Sequence, residues 1–134
     1  MRLISLILIG FLCMGLSGAV RSEINASVAS WDGSANVTWF ALNTAGHYLD
    51  IAEDGRQVLI INTTNTISAY VQNITIPAGI FWREGLGDKL FQLATNQTYI
   101  LGPFESSRFK QANETVLLDT NETRGSVALV LLPR

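Results

Sequence analysis

Apolar positions along the chain follow no long 3.6-residue repeat, and several stretches alternate apolar and polar residues with a period of two. Short apolar or alternating runs recur between clusters of Gly, Asn, Asp and Pro. They predict strands over 24–30, 35–42, 57–62, 67–76, 88–94, 97–101, 114–119 and 126–132, with 46–51 as a further short one. Asp54-Gly55 predicts a tight turn into 57–62, since both residues tolerate positive φ. Pro77-Ala78-Gly79 ends the longest run, because proline donates nothing to a ladder. Gly85-Leu86-Gly87 and Gly102-Pro103 are further breaks. Such spacing predicts an all-β fold: a single antiparallel β-sandwich, Ig-like or jelly-roll-like, of about eight strands.

Parity within the runs predicts which side chains face inward. In 35–42, Val37, Trp39 and Ala41 share one face, expected to be buried, and Asn36 and Thr38 share the other. In 70–76, Gln72, Ile74 and Ile76 oppose Val71, Asn73 and Thr75. Segments 57–62 and 126–132 are apolar on both parities, which predicts central strands, with coverage by a neighbouring subunit as the alternative. The last strand lies near the end of the given sequence and is read as free to swap into a partner. Residues 102–109 (Gly-Pro-Phe-Glu-Ser-Ser-Arg-Phe) interrupt the strand pattern. One helical turn starting at Glu105 or Ser106 is expected there, with Phe104 and Phe109 plugging one end of the sandwich.

The first nineteen residues follow a different rule. Arg2 precedes an apolar run, Leu3 to Leu16, and Ser17 and Ala19 are small. This is the pattern of a secretory signal peptide cleaved after Ala19; a short membrane anchor that stays attached is the alternative. Residues Gly10-Phe11-Leu12 before Cys13 make a poor lipobox. Two units follow: a signal peptide over 1–19 and a sandwich domain over 20–134. Cys13 is the chain's one cysteine, so the mature domain is expected to fold without disulfides, on a core that about 115 residues suffice to build.

Composition narrows the function. The chain has 134 residues, 9 basic and 11 acidic side chains and a formal charge of −2, which argues against nucleic-acid binding. One Cys and one His exclude Cys-based zinc and multi-histidine metal sites. The asparagines carry the strongest signal. Seven of them, Asn25, Asn36, Asn62, Asn73, Asn96, Asn113 and Asn121, open an Asn-x-Ser/Thr triplet. Chance would supply roughly 1.4 at this Ser and Thr content. Each is a candidate acceptor for a bulky surface glycan. A signal-bearing, sequon-rich and cysteine-free chain suggests a secreted archaeal surface protein, since small secreted eukaryotic domains more often carry disulfides.

Candidate chemistry is sparse. His47 has no cysteine to pair with and no GxSxG serine, so it reads as a polar strand-end residue. Asp50, Glu53 and Asp54 form a weak calcium candidate without EF-hand spacing. Glu84 and Asp88 flank two glycines and read as a solvated loop, not a glycosidase pair. No cofactor and no catalytic residue is expected. Among the aromatics Trp31, Trp39, Phe40, Tyr48, Phe81 and Trp82, the pair Phe81-Trp82 with Arg83 stands in a polar loop and is the candidate partner contact.

Several of these stretches carry a resemblance. They are residues 38–47 (Thr-Trp-Phe-Ala-Leu-Asn-Thr-Ala-Gly-His), 53–62 (Glu-Asp-Gly-Arg-Gln-Val-Leu-Ile-Ile-Asn), 75–79 (Thr-Ile-Pro-Ala-Gly), and Gly102-Pro103-Phe104 with Arg108-Phe109. Together they resemble a family of small β-sandwich proteins from phage and prophage structural gene clusters. The resemblance spans most of 35–132 and implies a non-enzymatic assembly or decoration module. Glu53 stands where that family usually has Asn, and the signal peptide and sequons point to a cell-surface relative. The expected function is a secreted structural component of a surface layer, sheath, filament or virion-like particle. Its expected partners are itself or other envelope or virion proteins, as a homo-oligomer with no membrane span after cleavage. The alternative is an extracellular carbohydrate-binding module.

Overall fold

A computed structural model describes residues 20–30, 36–50, 55–64 and 71–133. The proposed signal segment, Trp31, and Glu53 and Asp54 lie outside them. The regular elements of the described residues are nearly all strands: β1 (Ser22–Ile24), β2 (Ala26–Val28), β3 (Phe40–Ala41), β4 (His47–Asp50), β5 (Gln57–Asn62), β6 (Val71–Ile76), β7 (Lys89–Ala94), β8 (Thr98–Leu101), β9 (Thr115–Thr120) and β10 (Ser126–Leu131). One helical turn, α1, covers Ser106–Phe109. One sheet runs β1-β4-β9-β6-β7; the other runs β2-β10-β5-β8, with β3 also paired to β10.

The pairing has a simple rule. From β3 onward the antiparallel pairs are nested: β3 with β10, β4 with β9, β5 with β8, and β6 with β7. A long antiparallel ribbon of this kind rolls up when β5 also pairs β10 and β6 also pairs β9, as they do here. That is the jelly-roll order, the second of the two sandwich types expected. The remaining strands, β1 and β2, depart from the antiparallel expectation. They pair in parallel with β4 and β10, on different sheets. The predicted strand 24–30 is therefore split at Asn25, and its halves serve opposite layers.

The core lies between the sheets. Ile24, Leu49 and Val116 form one register row across β1, β4 and β9, and all are fully buried. Ile74 and Ile76 continue that layer on β6. Opposite them stand Leu59 and Ile61 of β5, paired with Leu129 and Val127 of β10. Each such side chain contributes roughly 1.5–3 kcal/mol on leaving water. Both strands read as apolar on both parities are interior to their sheet, flanked on each side. In β10, Val127, Ala128 and Leu129 are all buried, so the terminal strand is not a free edge.

Parity in β6 is as expected, with Gln72, Ile74 and Ile76 inward. In the 35–42 segment it holds at Val37, half-buried between the exposed Asn36 and Thr38, and inverts from Trp39 onward. Leu42 is buried, whereas Trp39 is 46% exposed and Ala41 faces solvent. The strand proper is only Phe40–Ala41, and its register puts Phe40 opposite the buried Val127. Two residues of pairing with β10, together with the Leu42 N–H bond to the Gly125 carbonyl (3.1 Å), decide the facing. The helical turn stands where expected: Phe104 and Phe109 are both buried, their rings edge to face at 6.0 Å.

Candidate functional site

The two ends of the roll differ. One end carries the turns 42–46, 95–97 and 121–125; the other carries the long connections 77–88 and 102–114. At the second end, Pro77 closes β6 and the chain turns back across α1. The Ala78 N–H donates to Asp88 Oδ1 (2.7 Å), and the Gly79 and Ile80 N–H groups donate to the carbonyls of Arg108 (2.7 Å) and Lys110 (3.2 Å). Gly79 is required there, because a Cβ would overlap the Lys110 backbone. The Arg83 N–H then donates to the Ser107 carbonyl (2.9 Å), and Glu84–Leu86 form one 3-10 turn.

Arg108 fastens this connection. Its guanidinium donates to the carbonyls of Gly87 (3.0 and 3.1 Å) and Leu86 (3.2 Å), and lies 4.7 Å from the Phe109 ring centroid. Those carbonyls stand at the C-terminal end of the 3-10 turn, where carbonyls have no acceptor role left within the turn, so a cationic fork suits them. Arg83 pairs with Glu105 across the same junction. Both members of the Arg108-Phe109 pair are thus structural, since one side chain ties the loop down and the other enters the core.

The result is an apolar tip. Ile80 is 57%, Trp82 80% and Leu86 60% exposed, and Phe81 is also exposed. The Arg83 guanidinium sits 4.7 Å from the Trp82 ring centroid, and Lys110 Nζ 5.8 Å from that of Phe81. An open cleft of about 420 Å³ adjoins the tip, lined in part by Arg83, Lys89, Phe91, Glu105 and Arg108. A second, of about 400 Å³, lies against Trp82 and Leu86. The structure brings the expected contact residues Phe81, Trp82 and Arg83 together here, and adds Ile80 and Leu86. A run of three large apolar residues, Ile80-Phe81-Trp82, between two strand-ending glycine and proline clusters was the signal available for Ile80.

The seven acceptor asparagines all fall within the described residues. Asn25, Asn36, Asn96, Asn113 and Asn121 are exposed; Asn62 and Asn73 are half-buried. Asn96 and Asn121 lie on turns, as their spacing predicts, and Asn113 lies just before β9. Asn62, Asn96 and Asn121 collect at the end opposite the tip. Asn73 joins them: its N–H donates to Asn121 Oδ1 (2.8 Å). At Asn113, Oδ1 accepts from the hydroxyl of its own triplet's Thr115 (2.8 Å).

His47 is buried, on the core side of β4. Its Nδ1 lies 2.7 Å from Ser22 Oγ, which also accepts from Asn43 Nδ2 (2.9 Å); Asn43 Nδ2 is 3.4 Å from Nε2. Burial holds its pKa below the ordinary 6.5, opposed by a hydrogen bond to the Ser22 backbone and aided by the nearby Arg21 charge. A serine beside a histidine is half of a nucleophile–base arrangement. Here the pair joins β1 to β4 and stands apart from both clefts at the tip. Of the calcium candidates, Asp50 is the last residue of β4, while its side chain, Glu53 and Asp54 lie outside the described residues. Asp88 Oδ1 accepts from a loop N–H and Glu84 is exposed in the 3-10 turn, and neither lines the two clefts at the tip. Among the described residues no three His, Cys, Asp or Glu side chains gather as a metal site, and no helix is long and apolar enough to cross a membrane. No protein-family model matches the chain, and no curated protein or solved structure is found to match it.

Proposed function

We propose that this chain is a non-enzymatic, secreted structural protein that assembles through surface contacts into a surface layer, sheath, filament or virion-like particle. The observation that carries the reading is the tip. Four large apolar side chains stand exposed on one connection, fastened by Arg108 and Arg83 instead of packing inward. Clustered exposed apolar groups on a rigid support are what a contact surface needs, since little order has to be gained on binding. Four of the seven candidate glycan acceptors, Asn62, Asn73, Asn96 and Asn121, gather at the opposite end, where sugars would block unwanted pairing without covering the tip; Asn113 lies on the 102–114 connection at the tip's own end. His47, the one candidate acid–base group, is tied into the β1–β4 junction. Kinship with the phage-type β-sandwich proteins belongs to the same reading and rests on the resemblance in sequence, including Gly102-Pro103-Phe104 and Arg108-Phe109.

Sedimentation of native, envelope-derived material tests it. Particles larger than a monomer are expected, and Trp82→Ala should lose them while leaving thermal unfolding unchanged, because Trp82 is mostly in water. A monodisperse monomer at high concentration that binds no envelope fraction overturns the reading. One observation favours carbohydrate binding as a second reading: an exposed indole beside a cleft that offers Arg83, Glu105 and Arg108 as polar partners. Binding on a glycan array, abolished by Trp82→Ala, would support it; an array without signal removes it.

A further inference from the structure

The antiparallel ribbon from β3 to β10 closes by its own pairing, whereas the N-terminal arm Arg21–Val28 is laid against it from outside, in parallel, on two sheets at once. The arm is lightly held by packing. Only Ile24 is fully buried; Ser22, Glu23, Asn25, Ala26 and Val28 are exposed. Its seat is demanding by comparison. Without Ile24, the register row of Leu49 and Val116 would open to water at the sheet edge. The seat is also selective, because a polar latch reads the arm's sequence. Arg21 pairs with Asp119 and donates to the carbonyls of His47 (3.3 Å) and Leu118 (3.4 Å). Ser22 meets His47 and Asn43, and Glu23 accepts from the Tyr48 hydroxyl (3.2 Å). Gly46 leaves room for this latch: a Cβ there would strike the Arg21 guanidinium.

We infer that the arm is an exchangeable strand, and that the occupant its seat accepts in an assembly is the arm of a second copy of this chain. An apolar slot that needs a plug, with a latch that fits Arg-Ser-Glu-Ile, selects the same sequence from a neighbour. Residues 29–39 join β2 to β3, eleven residues whose fully extended length is at most about 35–40 Å. Both strands of the arm lie at sheet edges, whereas β10 is flanked on both sides within its sheet. Passed onward, the arm builds an open head-to-tail chain; exchanged reciprocally, it closes a dimer. The inference rests on the assembly reading and supplies its joint.

Cysteine cross-linking tests it in the full chain carrying Cys13→Ser. Glu23 and Tyr48 are register partners on the exposed face, within reach of a disulfide. E23C and Y48C chains are mixed at high concentration and oxidised. Arm exchange gives a shift from monomer to mixed E23C–Y48C dimers, and the double variant E23C/Y48C gives a covalent ladder. Monomer only from the mixed single variants overturns the inference, as does a double variant that fails to close even within one chain. Sedimentation of the unsubstituted protein separates the two ideas. Assembly without mixed cross-links removes arm exchange and leaves the proposed function standing. Mixed dimers in material that never sediments beyond a dimer support exchange and count against an extended assembly.

Discussion

Replacing Arg108 by methionine keeps the aliphatic stem and removes the fork. Three hydrogen bonds to the Leu86 and Gly87 carbonyls disappear, together with the stacking on Phe109. A bond from a charged donor contributes about 1.5–3 kcal/mol, but the side chain is only half-buried and water partly replaces it at the carbonyls. A combined loss of about 2 kcal/mol follows, a sizeable share of the ~5–15 kcal/mol that holds a domain of this size together. Urea titration should show a lower midpoint at unchanged slope, and thermal unfolding should fall by about 8 °C. Amide exchange localises the effect. The N–H groups of Arg83, Leu86 and Gly87, whose acceptors lie in this connection and α1, should exchange faster, while those of β5 and β10 keep their rank. A variant within about 0.5 kcal/mol of the parent, with loop exchange unaltered, would refute the idea that Arg108 holds the tip in place.

Three further outcomes follow from the same contacts. His47 takes up a proton less readily folded than unfolded, so stability is full above about pH 6.5 and declines as the pH falls below it; His47→Gln should remove that part of the decline between pH 7.5 and 5, and an unchanged slope of urea midpoint against pH would sink the assignment. Gly79→Ala forces the backbone away from Lys110 and should cost about 3 kcal/mol, whereas Gly85→Ala, with open space around it, should stay within about 0.5 kcal/mol in the same denaturation assay. Peptide mass spectrometry of native protein should find Asn96, Asn113 and Asn121 more fully glycosylated than the half-buried Asn62 and Asn73; equal occupancy at all five would show that folded-state access does not govern modification.

Some elements could be read from the residues alone because the information is local or dense. β5 is found at its predicted bounds, since Gln57-Val58-Leu59-Ile60-Ile61-Asn62 is dominated by β-branched and apolar residues. The turn at Ser106–Phe109 was legible from a break in alternation and the spacing of two phenylalanines. The contact residues Phe81 and Trp82 were legible because large apolar groups in a polar loop are conspicuous. Parity in 35–42 was not, because two paired residues are too few for alternation to outweigh the register imposed by β10. Nor was the role of Arg108, whose acceptors lie some twenty residues away along the chain.

The pattern of side chains by itself determined that this chain forms strands, where most of them run, which faces of β5 and β6 are apolar, and that seven asparagines are candidate acceptors. Only the tertiary structure decided the jelly-roll order, the split of the arm between two sheets, and the separation of the apolar tip from the sequon-rich end. Alternation constrains each strand against its two faces, one residue at a time. Which strand becomes its neighbour depends on hydrogen bonds and buried rows between residues far apart in the chain, and no local pattern records that choice.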